Sequence, residues 1–389
     1  MYNYILEGCA LMIHYLDNSA TTPLCNEAID RMTECMRGEF GNPSSLHLLG
    51  VKAEIRLQKC REEIANRLYC DKGEIYFTSC GSESNNTAIF GAVKAKRRDG
   101  KRIVTTAIEH PSVMRCMDEL EKDGFEIIRL MPDQSGNIPV DEIKKAITAD
   151  TILVSMMAVN NETGVLLPIE EIKRAVRLSG STALVHIDAV QGFGKIEINP
   201  QKIGADLLSV SAHKIHGPKG IAALYVKKGV RILPLIHGGG QEKGLRSGTE
   251  STLLAEGFAA AVTALPPTRV ASERTAALNQ LLRDRLSQLG SVWINSPENA
   301  IPYILNFSVE GIRSETMLHH LENMEIFVSS GSACAKGEKS HVLKAMGLTD
   351  SLIDSAIRVS ISRFTTEEDI LALVGGIEDG INKLVRSKR

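Results

Sequence analysis

Apolar and polar positions along the chain repeat with two periods, which predict two kinds of element. Short apolar runs rich in Val, Ile and Leu predict buried strands, and longer segments with apolar positions three to four residues apart predict helices. Their alternation, with short connections, predicts an α/β fold built on a mainly parallel sheet. The predicted strands are EIYFTS, RIVTTAIEH, EIIRLMP, TILVSMMAVN, ALVHIDAV, ADLLSVSA and IAALYVK. The predicted helices in the first part of the chain cover 27–40, 44–68 and 83–98.

The pattern changes after residue 262. Pro266 and Pro267 precede a long helical segment at 269–289, and shorter strand candidates follow: YILNFSV, FVSS and AIRVSIS. We therefore predict a large α/β domain at 23–262 and a small α+β domain formed by 1–22 and 263–389.

Composition is that of an ordinary globular chain. Of 389 residues, 43% are hydrophobic and 24% are charged, which is enough apolar material for a sizeable core. The net charge of −2 gives no argument for nucleic acid or for an anionic membrane surface. The basic run at 94–102 predicts a solvated helix end, and a docking patch is the alternative. We expect no direct binding to nucleic acid or membrane.

The cysteines and the N-terminus bear on location. None of the eight cysteines forms a C-x-x-C pair, so we predict no metal site. The N-terminal residues lack the basic start of a secretory signal, and no apolar run has the length of a membrane span. Dispersed cysteines without an export signal predict a cytoplasmic protein.

Polar residues follow two of the predicted strands, where ligands bind in open α/β sheets. In FTSCGSESNN, Gly81 permits a tight turn and Ser82 is the expected helix cap, so backbone N–H groups form an anion site. In HIDAVQ, Asp188 ends a buried strand, and a protonated pyridine nitrogen would balance its charge. Taken alone, the first motif is more typical of a plain strand-to-helix turn with a serine cap, and the second is also common as a turn with an N-capping Asp.

A third strand, LLSVS, is followed by AHKIHGPKG. It carries Ser211, His213 and Lys214 into a loop rich in glycine and proline. A lysine at the end of a core strand loses solvation, so its amine is easier to deprotonate and can react with an aldehyde cofactor. Lys219 is the rival candidate, and a surface lysine at a loop start is the plain alternative.

These three motifs resemble, in order, those of the IscS/NifS cysteine desulfurases. The segments YLDNSATT, GNPSSLH, EHPSV, VNNETG, GGGQEKGLRSGT, SSGSACA and IRVSISRFTTEEDI extend the resemblance over most of the chain. It implies the fold-type I, aspartate-aminotransferase-like architecture of pyridoxal-phosphate enzymes, with a mainly parallel seven-stranded sheet and a small α+β domain. It also implies pyridoxal 5'-phosphate as cofactor, L-cysteine as substrate and a homodimer.

The resemblance further implies a role for each matching residue. Lys214 is expected to bond covalently to the cofactor aldehyde, Asp188 to pair with the ring nitrogen and Gln191 to bind the ring hydroxyl. His110 is expected to lie on the ring face and to move protons, and Asn161 is also expected to contact the cofactor. The phosphate is expected to bind Gly81, Ser82, Ser211, His213 and, from the neighbouring subunit, Thr249. Asn161 and Arg358 are expected to hold the substrate carboxylate, and Cys334 to accept the sulfur.

Cys334 distinguishes this reaction from others on the same scaffold. Small and polar neighbours predict an exposed loop, and Lys336 and Lys339 are expected to lower the pKa of the thiol. L-Cysteine would become L-alanine, and a persulfide on Cys334 would pass to an iron–sulfur scaffold protein or a tRNA-thiolation enzyme. The alternatives are a selenocysteine lyase, another pyridoxal-phosphate lyase or aminotransferase, and a non-catalytic relay subunit. The loop after Cys334 is shorter than in typical members, and Cys80 replaces a glycine.

Overall fold

The computed structural model describes residues 3–6, 9–38, 40–330 and 339–385. In this part of the chain the strands, in order, are β1 Asn3–Leu6, β2 Cys9–Met12, β3 His14–Tyr15, β4 Ile75–Thr78, β5 Arg102–Thr106, β6 Glu126–Leu130, β7 Thr151–Met157, β8 Leu184–Asp188, β9 Leu207–Ser211, β10 Ala222–Val226, β11 Val292–Ile294, β12 Ile304–Val309, β13 Ile326–Phe327, β14 Ser329–Ser330 and β15 Ala356–Ser360.

The helices of the same part of the chain vary from a single turn to twenty residues. They are α1 Asn26–Gly38, α2 Leu48–Arg67, α3 Gly81–Lys96, α4 Pro111–Lys122, α5 Val140–Ala146, α6 Ile169–Leu178, α7 Pro200–Ile203, α8 Thr252–Thr263, α9 Thr268–Ser287, α10 Ser314–Glu322, α11 His341–Ala345, α12 Asp350–Asp354 and α13 Glu367–Lys383. Short 3-10 helices within the described ranges cover Lys72–Glu74, Ala212–Lys214 and Glu242–Gly244.

A seven-stranded sheet in the order β4-β10-β9-β8-β7-β5-β6 forms the centre of the molecule. Strand β10 runs antiparallel to both of its neighbours, and the other pairings are parallel. Every residue of β7, β8 and β9 is buried because hydrophobic layers cover both faces of the sheet. The predicted α/β fold with a mainly parallel seven-stranded sheet is confirmed.

A second, antiparallel sheet has the order β11-β12-β15-β14. Its core combines Leu16, from the beginning of the chain, with buried residues between Leu282 and Ile377. Strand β3 joins this region by pairing in parallel with β13. The predicted domain division at 23–262 stays a prediction.

Three predicted boundaries differ from the structure. Helix α3 begins at Gly81 with Cys80 as its N-cap, not Ser82, because Cys80 has extended backbone angles and its Sγ accepts from the N–H of Glu83 at 3.5 Å. Helix α2 begins at Leu48 after a turn, whereas its predicted start was at 44. The predicted strand FVSS is divided between β13 and β14, which pair with different partners.

Candidate active site

A cavity of about 400 Å³ lies beyond the carboxyl ends of the central strands, where β7, β8 and β9 end at Met157, Asp188 and Ser211. This is the edge at which open parallel sheets bind ligands. The predicted residues that line the cavity are Gly81, Ser82, His110, Asn161, Asp188, Gln191, His213, Lys214 and Arg358.

Lys214 ends a 3-10 helix that directly follows β9. Its amine donates to the backbone oxygen of Ser19 and, at 2.8 Å, to that of Ala20. Its neighbour His213 lies 3.2 Å from the hydroxyl of Thr21 through Nδ1. Burial lowers the pKa of His213 to about 4, and the positive charge of Lys214 adds to this effect, so His213 is neutral at physiological pH.

Asp188 is the buried acid of the cavity. Its Oδ2 accepts from the amide nitrogen of Asn85 at 2.8 Å, and its Oδ1 accepts from the N–H of Val190 at 3.0 Å. These bonds hold the carboxylate in one orientation at the end of β8. A cationic ligand group beside this buried carboxylate would balance its charge.

An anion site adjoins this acid at the N-terminus of α3. Gly81 is the first residue of that sixteen-residue helix, and a Cβ built on it would lie 2.9 Å from Val190 Cγ2. Ser211 lies behind Gly81 and does not line the cavity itself; its buried Oγ has no hydrogen-bond partner. Free N–H groups, the helix dipole and an unpaired hydroxyl together suit a phosphate.

His110 is the N-cap of α4, and Pro111 occupies the first helical position. Its Nδ1 accepts from the N–H of Ser112 at 3.1 Å and lies 2.8 Å from the hydroxyl of the same residue. Burial lowers the pKa of His110; the charge of Asp188 opposes this effect, while Lys214 and His341 reinforce it. His110 therefore has both a structural role and a place in the cavity.

Arg358 is almost fully buried in β15, where only 1% of its surface is exposed. One terminal nitrogen donates to Asp17 Oδ1 at 2.8 Å, and the other to the backbone oxygen of Asn161 at 3.1 Å. Its Nε has no partner. The structure therefore brings Arg358 and Asn161 together at the cavity, and an acid that was not predicted balances the arginine charge.

The segment after residue 338 also lines the cavity. Ser340 donates to the buried carboxylate of Glu162, and His341 Nε2 lies 3.0 Å from the backbone oxygen of Glu109. Lys339 is half-exposed and forms an ion pair with Asp350 at 3.1 Å. The carboxylate of Asp350 therefore partly balances the positive charge of Lys339 that was expected to lower the pKa of the Cys334 thiol. Cys334 and Lys336 lie outside the described residues.

Thr249, like Ser211, is a predicted site residue that does not line the cavity of the described chain. It is exposed in the segment that follows β10. Within the described ranges, no group of three or more His, Cys, Asp or Glu side chains could hold a metal ion. No helix of the described chain is long and apolar enough to cross a bilayer.

Besides Asp17, sequence reasoning assigned no role to Asn85, Ser112, Lys195 and His341, which line the cavity or contact a residue that does. Asn85 lies in the motif FTSCGSESNN, one helical turn after Gly81, and Ser112 lies in the motif EHPSV, two residues after His110. Lys195 follows Gln191 by four residues, and its buried amine donates to Gln191 Oε1 at 2.8 Å. His341 follows the segment of Cys334. Only Asn85 lies at helical spacing from a predicted site residue, four residues after Gly81 in α3, so spacing was an available signal for Asn85 alone.

The chemistry of these side chains fits pyridoxal phosphate. An unpaired buried hydroxyl beside a helix N-terminus suits the phosphate, a buried carboxylate suits a protonated ring nitrogen, and an amine in the same cavity suits the aldehyde. These three groups would serve many reactions of the cofactor, so the fold and the cavity define a pyridoxal-phosphate enzyme without naming its substrate.

The aminotransferase class-V family model matches residues 14–373, and the chain therefore belongs to the class-V aminotransferase family. Cysteine desulfurase IscS of Dictyoglomus turgidum is 40% identical to it over 375 residues, which cover 95% of each chain. A solved NifS-like protein superposes with a TM-score of 0.91 at 38% identity, covering 96% of this chain and 100% of the other. SspA in complex with cysteine superposes with a TM-score of 0.80 at 34% identity, covering 90% of this chain and 99% of the other. The resemblance to IscS/NifS cysteine desulfurases is confirmed.

Proposed function

We propose that the chain acts as a pyridoxal-phosphate-dependent cysteine desulfurase, which converts L-cysteine to L-alanine and retains the sulfur on Cys334. One observation carries this proposal: Lys214, Asp188 and the N-terminus of α3 line a single cavity in a chain that is similar to cysteine desulfurases over nearly its whole length. When bound, the cofactor supplies an electron sink that stabilises negative charge at the substrate α-carbon.

The roles of the side chains follow from their chemistry. Lys214 would hold the cofactor aldehyde and move the proton at the substrate α-carbon. Asp188 would keep a ring nitrogen protonated, with Gln191 at the ring hydroxyl and His110 at the ring face. Gly81, Ser82, Ser211 and His213 would surround the phosphate.

The substrate carboxylate would bind Arg358 and Asn161. Guanidinium is suited to a carboxylate because its N–H groups match the two oxygens. The unpaired Nε of Arg358 supports this assignment, although Asp17 occupies one of its terminal nitrogens.

The sulfur would move to Cys334 in one balanced step. The Cys334 thiolate would form an S–S bond with the substrate sulfur while the Cβ–S bond of the substrate breaks. The electron pair of the broken bond would stay with Cβ, which takes up a proton and becomes the methyl group of alanine. The sulfur atom is oxidised as the carbon is reduced, so no external oxidant is needed. Lys339 and Ser340 line the cavity, and five residues can span at most about 17 Å, so the length of chain between Lys339 and Cys334 permits the thiol to reach the substrate.

The same proposal includes a homodimer. A group of large apolar side chains is exposed on α1, on α2 and between them: Ile29, Met36, Phe40, Leu46, Leu48, Val51 and Ile55. Leu46 is 98% exposed and Phe40 is 84% exposed. In a monomer these apolar side chains would remain in contact with water. We propose that a second copy covers this apolar patch and that Thr249 reaches the cofactor phosphate of the neighbouring subunit.

The sulfur acceptor would be an iron–sulfur scaffold protein or a tRNA-thiolation enzyme, and the expected compartment is the cytoplasm. A pull-down with the persulfide-loaded chain distinguishes the two acceptors. Transfer of labelled sulfur to the captured protein is the measurement that identifies the acceptor.

Incubation of the cofactor-loaded chain with L-cysteine tests the activity. We expect alanine in the product and a persulfide on Cys334 by mass spectrometry. Cys334→Ala should keep the absorbance band of the bound cofactor and lose the persulfide. The control variant Cys70→Ala should keep both the absorbance band and the persulfide. Normal alanine formation by Cys334→Ala without reductant contradicts the role of Cys334. Turnover of selenocysteine by that variant, without turnover of cysteine, indicates a selenocysteine lyase.

A further inference from the structure

A chain of hydrogen bonds connects Asp188 to His110 through two side chains that have no assigned role. Asn85 donates to Asp188 Oδ2 at 2.8 Å and to Ser112 Oγ at 2.9 Å, in both cases through Nδ2. The Ser112 hydroxyl lies 2.8 Å from His110 Nδ1. Only 1% of the surface of Asn85 is exposed, so water does not compete for these bonds.

The direction of each bond is fixed from both ends. The carboxylate of Asp188 only accepts, so the amide of Asn85 must turn its nitrogen toward it. The second hydrogen of that nitrogen is donated to Ser112 Oγ, which leaves the proton of the hydroxyl for His110. The backbone N–H of Ser112, 3.1 Å from His110 Nδ1, also can only donate. Two donors therefore meet His110 Nδ1, which must carry a lone pair.

We propose that Asn85 and Ser112 are positioning residues that hold His110 as the neutral tautomer with its proton on Nε2. The proposal rests on the role assigned to His110 in the proposed function and specifies which nitrogen carries the proton. No described residue hydrogen-bonds to Nε2, and the ring lines the cavity, so the Nε2–H group is available to a ligand there.

This arrangement makes His110 a hydrogen-bond donor toward the cavity and not a base. Protonation of Nδ1 would set its new N–H against the N–H of Ser112, which disfavours the imidazolium. The charged and titratable groups that act on the ring are Asp188, Lys214 and His341, and burial adds to the preference for the neutral form. His110 would therefore donate a hydrogen bond from Nε2 to a ligand and keep the proton, because its loss while Nδ1 is unprotonated would leave an imidazolate anion.

Nitrogen NMR of the cofactor-loaded, full-length chain with ¹⁵N-labelled histidine measures the tautomer directly. We expect a protonated Nε2 and an unprotonated Nδ1 for His110, assigned by loss of its signals in His110→Gln. His216 is an internal control with the opposite expectation, because its Nδ1 donates to the backbone oxygen of Pro23 at 3.0 Å. A proton on Nδ1 of His110 overturns the proposal.

Variants test whether the chain of bonds acts as a unit. Ser112→Ala removes one donor to Nδ1, so the protonation constant of His110 should rise roughly fivefold, as expected for one lost hydrogen bond. Ser112→Thr keeps the hydroxyl and should restore the wild-type titration. Asn85→Ala should raise the constant less, and the double variant should match Ser112→Ala, since Asn85 acts through Ser112.

Two outcomes would overturn the positioning role: an unchanged His110 titration in Ser112→Ala, or additive effects in the double variant. Both are read from histidine signals without substrate. A failure of the proposed function appears separately, as absence of alanine and persulfide with L-cysteine in the wild-type chain.

Discussion

Lys195 and Gln191 form a buried pair in which the amine nitrogen lies 2.8 Å from the amide oxygen. The amide nitrogen of Gln191 donates to the backbone oxygen of Ser19 at 2.9 Å, and this oxygen also accepts from Lys214. Because a carbonyl oxygen only accepts, the two contacts fix both ends of the Gln191 amide. Burial, with the positive charges of Lys214 and Arg358, lowers the pKa of Lys195 to about 7.

Lys195→Met should change how stability depends on alkaline pH. In the wild-type chain the folded state binds fewer protons at Lys195 than the unfolded state between pH 7 and 10.5, so the free energy of unfolding should rise with pH across that window. The variant should lose this part of the rise. Urea unfolding at intervals across the window measures it, and the exposed Lys202→Met is the control. An equal rise in Lys195→Met and wild type would contradict the buried, uncharged amine.

Glu109 produces the opposite slope at lower pH. Its Oε1 accepts from Thr106 at 2.7 Å and from the N–H of Met157 at 3.0 Å, and its buried Oε2 has no partner. Burial raises the pKa of Glu109 from 4.5 to about 8. The folded state therefore holds a proton that the unfolded state loses, and stability from this group falls as pH rises through that interval.

Glu109→Gln, which resembles the protonated acid, should flatten that fall and make the chain more stable above pH 8 than the wild type. Equilibrium unfolding from weakly acidic to weakly alkaline pH is the measurement. Glu162→Gln is a companion variant, because burial raises the pKa of Glu162 to about 7. It should remove a separate part of the fall in stability with rising pH. Parallel curves for Glu109→Gln and wild type would show that Glu109 is ionised in the fold.

Arg61 and Glu242 form a buried ion pair beneath the segment that carries Thr249. The guanidinium contacts both carboxylate oxygens, at 2.7 and 2.8 Å, and the carboxylate also accepts from the N–H of Phe77. Arg61→Met leaves a buried charge without its partner and should destabilise the fold by about 3–5 kcal/mol. Thermal unfolding should show a smaller loss in the double variant Arg61→Met/Glu242→Gln. A larger loss in the double variant would argue against coupling.

The apolar patch on α1 and α2 is expected to hold the dimer. Ile55→Glu places a charge in this patch and should convert the dimer to a monomer in light scattering, with weaker cofactor binding because Thr249 of the neighbour is lost. Val270→Glu is the matched control, since Val270 is 58% exposed on α9 and Ile55 is 64% exposed. A dimeric Ile55→Glu variant would remove the patch from the proposed interface.

The central sheet was predictable because its strands are buried on both faces. The runs that end at Met157, Asp188 and Ser211 are nearly continuous in apolar residues, and a polar residue marks the cavity end of β8 and of β9. Helix starts were less predictable, because capping depends on backbone angles. Ser82 was the better cap by residue type, yet the chain turns at Cys80.

Partners contributed from distant parts of the chain could not be predicted from single motifs. Asp17 and Arg358 form an ion pair although 341 residues separate them in sequence. The sequence around Lys195 does not indicate that its amine is buried, because burial depends on the packing of distant segments. The paired strand ends that hold Lys214 and Asp188 follow a general rule of parallel sheets. The hydrogen bonds of Asn85 and Ser112 depend on how α3 packs against α4, which periodicity does not specify.

The pairing of β3 with β13 has a consequence for assembly of the chain. Asn18 donates to the backbone oxygen of Ser360 at 2.8 Å, and the next two residues supply the oxygens that hold Lys214. An early segment therefore finds its place only after synthesis has passed residue 360. Closing so long a loop is slow, and until it closes the apolar face around Leu16 stays open to chaperones and to aggregation.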